Sequence, residues 1–306
     1  MLEIIKALAD PSRLRLVAVL TRGEFTVQDL TAILGMGQSR ISRHLKILTD
    51  AGILAVQRQG TWAYYRLAGE NLFFTAIRPA LEERLSELPE RPADLEGIGR
   101  VMEARRKRSQ EFFDRHARQW DSLAREVLST ADYLDRLLES VPSCATILEV
   151  GLGTGGLLAK LRERAEWVIG VDHSPAMIEE AWRRVAAEGL SGVDLRLGEM
   201  SHLPLPDGEC DMALLNMVLH HAARPLEVLN ELNRVLSSRG SLLIADLVAH
   251  RSDWVRESLA DQWLGFEADE LSSWLAAAGF AVQEHSVVEE EGEALGVFIL
   301  RARKIA

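Results

Sequence analysis

A chain of 306 residues, 47% hydrophobic and 26% charged, carries enough apolar material for two domains with separate cores. Its two cysteines, Cys144 and Cys210, are far apart and no apolar secretory segment opens the chain, which argues against a disulfide framework and makes a reducing cytoplasm the expected location. No run approaches the roughly 20 apolar residues of a membrane span, so no membrane partner is expected.

The net charge of −11 is unevenly spread. Residues 1–68 hold nine Lys/Arg against five Asp/Glu, a balance of +4, and the rest of the chain holds 26 against 41, a balance of −15. Because a DNA reader must neutralise phosphates, any nucleic-acid contact belongs in the first part.

Asp10-Pro11 is an N-cap followed by proline at the first helical position, and Leu14, Val17, Ala18 and Leu20 continue at helical spacing. Thr26 to Asp29 has the form of a capping box opening a short helix through Leu34. After the turn Gly35 to Gly37, Ile41, Leu45 and Leu48 at i, i+4 and i+7 predict a third helix. Its other face carries Gln38, Ser39, Arg40, Ser42, Arg43 and Lys46, polar and basic. Beyond Gly52, ILAVQRQGTWAYYRL alternates and turns at Gln59-Gly60, which predicts a β-hairpin. Together these elements make a winged helix-turn-helix. Another helix is expected at about 72–88, the stretch PERPADLEGIG reads as a linker, and residues 100–139 are again helical and charged. The expected division is 1–89 for the DNA-binding domain, 90–140 for a linker and helical connector or cap, and 141–306 for a second domain.

From Ser143 onward the period changes. The apolar strands TILEV, WVIGVD, VDLRLG, DMALLNM and SLLIADL alternate with helical segments, the pattern of a parallel α/β sheet, and AVQEHSVV with GVFILRARK predicts an antiparallel pair at the sheet edge. Between the first of these strands and its helix, ILEVGLGTGG lets the backbone turn tightly and approach a ligand closely. Gly151, Gly153 and Gly156 fit the G-x-G-x-x-G of dinucleotide sites, while Gly151, Gly153 and Gly155 fit a G-x-G-x-G alternative. Asp172, ending the next strand, is placed to accept hydrogen bonds from a ribose under either template. Glu149 separates the two, because its negative charge opposes a pyrophosphate and suits an ammonium.

With LGEMSHLPLPDGECD, DMALLNMVLHHAARP and ELNRVLSSRGSLLIADL, this region resembles the class I S-adenosylmethionine (SAM) methyltransferases over about residues 110–305. The resemblance implies a Rossmann-like, seven-stranded, mostly parallel sheet that binds SAM or S-adenosylhomocysteine (SAH). It places Glu149, Gly151, Leu152, Gly153, Gly155, Asp172, His173, Met177, Glu199, Met200, Asn216 and Trp120 at the ligand, with Glu199 toward the adenine amino group. Asn216, His220 and His221 stand where the family has residues near the methyl group, although a histidine beside an apolar strand more often packs or caps. Phe113, His116 and Trp120 resemble an aromatic helix folded over the ligand, with core packing as the competing role.

Residues 5–68, with ALADPSRLRLVAVL, SRHLKIL and RQGTWAYYRL, resemble the ArsR family of bacterial transcriptional regulators. That resemblance implies a symmetric homodimer on an inverted repeat of double-stranded operator DNA, with one helix in the major groove and the wing on the backbone. Gln38, Ser39, Ser42 and Arg43 are its base or phosphate candidates, and Arg40, Arg58 and Thr61 its phosphate anchors. Metal-sensing members carry cysteines where GEFTVQDL here has Thr26 and Gln28, and His44 is alone, so no metal site is expected.

The whole chain thus resembles fusions of an ArsR module to a methyltransferase domain, including SAH-responsive regulators of the methionine cycle. A DNA-binding regulator, in the first place a repressor, with SAM or SAH as effector is the leading expectation. A working small-molecule methyltransferase is the alternative, since methyl transfer from a sulfonium needs chiefly a well-placed nucleophile. An NADH-sensing repressor is the third reading, opposed by Glu149 and Glu199.

Overall fold

The computed structural model describes residues 1–59, 62–69, 71–127, 131–250, 252, 259–288 and 295–305. It divides into two compact units, Met1–Lys107 and Arg108–Ala306.

In the first unit, α1 (Leu2–Leu8) and α2 (Pro11–Leu20) precede β1 (Phe25–Thr26), α3 (Val27–Leu34) and α4 (Gln38–Asp50). The hairpin β2 (Leu54–Gln59) and β3 (Trp62–Leu67) follows, then α5 (Leu72–Leu85) and α6 (Arg91–His116), within which the boundary between the units falls. The local signals act as expected. Asp10 accepts the amides of Ser12 and Arg13, and Thr26 and Asp29 form the reciprocal capping box. Gly35 ends α3 in the left-handed region, while Gly37 offers α4 no side-chain cap. Ile41, Leu45 and Leu48 are fully buried with Leu16, Phe25, Leu30 and Phe74. The short β1, which no periodicity announced, pairs with β3.

The stretch expected to be a linker is helical instead. Pro92 lies in the first turn of α6, where a missing amide proton is tolerated. Gly97 marks a close approach and not a flexible joint, since a Cβ there would stand 2.8 Å from the carbonyl oxygen of Ile33. Ile98 joins the core of the first unit, and the buried carboxylate of Asp94 receives Nε and Nη2 of Arg15 at 3.0 and 2.6 Å. Asp94→Ala leaves that guanidinium half-buried without its carboxylate and is expected to cost the first unit about 3 kcal/mol. Chemical denaturation followed by far-UV circular dichroism measures it, and a loss below about 1 kcal/mol would show Arg15 relaxing to water.

The second unit is a seven-stranded sheet. After α7 (Trp120–Val127) and α8 (Ala131–Glu139) come β4 (Cys144–Val150), α9 (Leu158–Arg162), β5 (Ala165–Asp172), α10 (Pro175–Glu188) and β6 (Val193–Leu197). They are followed by β7 (Cys210–Asn216), α11 (Pro225–Val235), β8 (Leu236–Leu247), α12 (Ala268–Ala277), β9 (Phe280–Val288) and β10 (Val297–Lys304). The strand order is β6-β5-β4-β7-β8-β10-β9, with the first five parallel and β10 antiparallel to both neighbours. Buried residues of alternate faces feed two cores, one around Leu148, Leu215 and Ile244 and the other around Ile147, Leu214 and Leu243. The order reverses direction at β4, so the connections leaving β4 and β7 part to opposite sides and open a crevice at their carboxyl ends.

Candidate functional site

At that crevice lies a cavity of about 400 Å³. Its wall is built from strand ends: Glu149 and Gly151 at β4, Asp172 at β5, Asn216 at β7 and Leu247 at β8. Among the expected ligand residues, Glu149, Gly151, Leu152, Gly153, Asp172 and His173 line it. So do Met177, Met200, Asn216 and Trp120, together with His220 and His221. Gly155 and Glu199 are not on the wall.

The glycines discriminate between the templates once their backbone angles are known. Gly151, Gly153 and Gly155 have φ of +69°, +56° and +76°, whereas Gly156 is not in the left-handed region. The loop therefore has the conformational demand of G-x-G-x-G. A Cβ at Gly151 would stand 2.4 Å from a methyl of Val218. Asp172 braces the loop, accepting the Gly153 amide at 2.9 Å through one oxygen and the Ser174 amide at 2.9 Å through the other.

Glu149 is almost fully buried, and its Oε2 has no hydrogen-bond partner among the described residues. Burial, reinforced by the charge of Asp172, pushes its carboxyl up from 4.5 to about 8. The Asn216 Oδ1 is likewise buried without a partner. Next to it, Met217 is held at φ +55°, a conformation that side chains of its type seldom adopt and that gathers at functional sites.

The predicted aromatic segment covers one side. Phe113 meets Trp120, His173 and His221 edge-on at centroid distances of 5.1, 5.6 and 5.0 Å. Asp114 accepts the Ser174 hydroxyl at 2.6 Å, and Asp121 accepts that of Thr154 at 2.5 Å and pairs with Arg184. His116 instead turns to the carbonyl of Phe112 and is absent from the cavity wall. Burial lowers His173, but the adjoining Asp172 outweighs it and the imidazole is raised on balance.

The sequence reading missed Tyr133, Thr154 and Asp261, all of which line the cavity. Thr154 sits inside the glycine loop and was legible there; Asp261 was not, because chain pairing brings it in. The amides of Gln262 and Trp263 donate to the carbonyl of His220 at 3.0 and 2.9 Å, and the Trp263 indole donates to Ala222 at 2.8 Å. Opposite them, Asp246 is fully buried and accepts the Leu219 amide, the Leu247 amide and His220 Nδ1 at 2.8, 2.7 and 2.7 Å. Burial disfavours a charged His220, yet Asp246 and Asp261 on either side raise it. His221 is lowered by burial and by the neighbouring His220.

In the first unit, α4 presents Gln38, Ser39, Arg40, Ser42 and Arg43 as exposed residues on the face opposite its buried stripe. Arg40 is additionally tethered to the Ser12 hydroxyl at 2.8 Å. The backbone of Arg58 lies in β2, opposite Ala63 of β3, and Thr61 falls outside the described residues.

Comparison with known proteins assigns the two units. The family of bacterial regulatory proteins described as arsR matches residues 10–56, and a methyltransferase domain matches residues 148–244. The arsenic resistance transcriptional regulator ArsR1 of Pseudomonas putida is 39% identical over 102 residues, 29% of this chain and 80% of its own length. An arsenite methyltransferase of Halobacterium salinarum is 34% identical over 157 residues, 48% of this chain, and the chain spans only 40% of that protein. The crystal structure of a SAM-dependent methyltransferase from Aquifex aeolicus superposes with a TM-score of 0.51 at 25% identity, over 63% of this chain and 98% of its own. With the winged helix, the seven-stranded sheet and these matches together, the chain belongs to the arsR family of bacterial regulators through its first unit and carries a methyltransferase domain as its second.

Proposed function

We propose that this protein is a DNA-binding transcriptional regulator, a repressor, whose methyltransferase-type unit binds SAM or SAH as its effector. The observation that carries the reading is the buried Glu149 carboxyl, whose Oε2 has no partner among the described residues, at the wall of a cavity that the left-handed Gly151 and Gly153 also line. The ammonium of a methionine-type ligand would draw the charged carboxylate form there, a pairing that a pyrophosphate cannot offer. Asp172 and His173 would lie toward the ribose and adenine, with Met177 and Met200 against the ring. In the first unit, the exposed face of α4 would read an inverted repeat as part of a homodimer. An effector changes DNA affinity only if it binds the DNA-competent and incompetent states differently. Mobility-shift titration on operator DNA tests this: SAH is expected to release the DNA, and identical affinity with SAM, SAH and buffer would sink the effector role.

The charge state of Glu149 adds a second expectation. Below about pH 8 the carboxyl of the free protein is protonated, so binding an ammonium ligand must expel that proton. SAH affinity is expected to rise between pH 6 and pH 8, by up to tenfold per unit, and to level off above. Calorimetry in buffers of different ionisation enthalpy measures the released proton, and Glu149→Gln is expected to remove the slope. The same raised acid favours the folded apo protein at low pH, and that contribution is lost as pH climbs from 4.5 through about 8.

A second reading, an active methyltransferase for a small molecule, is favoured by the His220, His221 and Asp261 groups on the cavity wall, which offer polar chemistry to an acceptor. Neither Cys144 nor Cys210 lines the cavity, which counts against thiolate chemistry on a metalloid. Turnover of radiolabelled SAM distinguishes the two readings.

A further inference from the structure

We infer that His220, His221 and Asp261 form a three-ligand site for a divalent d-block cation, zinc in the first place, opening into the cavity of the second unit. The sequence suggests no metal ligands, because neither cysteine spacing nor histidine periodicity announces this set; it is assembled only by the fold. The ligand atoms of the three residues lie within 4.8 Å of one another, and all three residues are buried.

The geometry is that of chelation. His220 gives Nδ1 to Asp246 Oδ1 at 2.7 Å, which leaves Nε2 facing Asp261 Oδ1 at 3.6 Å. His221 directs Nδ1 at the same oxygen, also at 3.6 Å, and this nitrogen makes no hydrogen bond among the described residues. Such separations are too long for hydrogen bonds. Two ligands each about 2.1 Å from a tetrahedral cation stand about 3.4 Å apart, which is close to what is seen.

Two further features are those of a built site. A carboxylate behind a ligating imidazole fixes its tautomer and orientation, and Asp246, saturated by backbone amides, occupies that position for His220. Asp261 is held against the histidines by the pairing of residues 262 and 263 with His220, and the preceding Ala260 is locked at φ +61°. Two imidazoles and one carboxylate select zinc, cobalt, nickel or ferrous iron over magnesium or calcium. Three protein ligands leave a coordination position for a molecule in the cavity, one with an anionic oxygen or nitrogen donor. The inference stands on the chelating geometry and needs no adenosyl ligand.

The test is direct binding of Co²⁺ and Zn²⁺ to the chelator-stripped full chain, by ligand-field absorption and by calorimetry. One equivalent of Co²⁺ is expected to bind with the absorption of a low-symmetry nitrogen and oxygen site and to be displaced by Zn²⁺. His221→Ala and Asp261→Asn are each expected to weaken binding at least tenfold, whereas His285→Ala, on exposed β9, leaves it unchanged. Thermal melts of each variant verify folding, and the wild-type titration decides the matter even if one variant fails to fold. Absence of saturable one-to-one binding, or equal affinity in Asp261→Asn, would overturn the site and leave an imidazole held between two carboxylates. SAH binding measured in chelator stands apart from this result, so failure of the metal site and failure of the effector reading are separately visible.

Discussion

Asp246→Ala is expected to lower the melting midpoint of the second unit by about 10 °C. The carboxylate is fully buried and takes two backbone amides and one imidazole at 2.7 to 2.8 Å. Alanine leaves these donors, and the His220 amide that also reaches Asp246 at 3.4 Å, without their acceptor in surroundings closed to water, and breaking a buried charged network of this kind costs about 3–5 kcal/mol. Asp246→Asn keeps the shape and one acceptor oxygen, so roughly half that loss is expected. Differential scanning calorimetry reads both. A shift of less than about 3 °C for alanine would mean that the loop at Leu219–His221 rearranges to satisfy its own donors.

Gly151→Ala is expected to abolish measurable adenosyl-ligand binding, a loss of at least about a hundredfold, and to destabilise the second unit by about 3 kcal/mol. Two independent penalties meet at this position. The backbone is at φ +69°, which a side chain resists, and the added Cβ would stand 2.4 and 2.8 Å from the two methyls of Val218. Adding Val218→Ala relieves the second penalty alone, so partial recovery of stability without full recovery of binding is expected. Gly156→Ala is the control: its nearest neighbour would be Arg184 Nη1 at 3.5 Å and its φ lies outside the left-handed region. A smaller loss of affinity than at Gly151 is expected for it, because Gly156 lines the cavity but carries neither the backbone nor the steric penalty. Equal losses at both positions, read by calorimetry with SAH, would assign the loop to the dinucleotide template after all.

These two positions also show how much of the site was legible in advance. Gly151 and Asp172 could be named from the strand-to-helix pattern, because a tight turn and an acid at the next strand end are local consequences of residue type and spacing. The choice between the two glycine templates could not, since it depends on which residues actually take positive φ. Asp246 was visible only as the end of an apolar strand; its role comes from donors that lie 27 residues earlier in the chain. Glu199, singled out by resemblance for the adenine, stands off the cavity wall, while Met200 beside it is on that wall. The stretch 89–99 misled for a physical reason: its glycine and proline signal flexibility in isolation, but Pro92 falls in a first turn and Gly97 against a neighbouring helix.

By itself the sequence determined the two-unit plan, the winged helix with the polar, basic face of α4 and the alternation of strands and helices that yields a parallel sheet. Those features follow from period, capping and turn chemistry, all of which act within a few residues. Only the tertiary structure decided what shares the cavity wall, because that depends on the reversal of strand order at β4, on the pairing of residues 262 and 263 with His220, and on burial. Burial in particular turns Glu149 from an ordinary surface acid into a buried carboxyl whose Oε2 has no partner among the described residues, and the pairing at His220 brings His220, His221 and Asp261 within reach of a single cation.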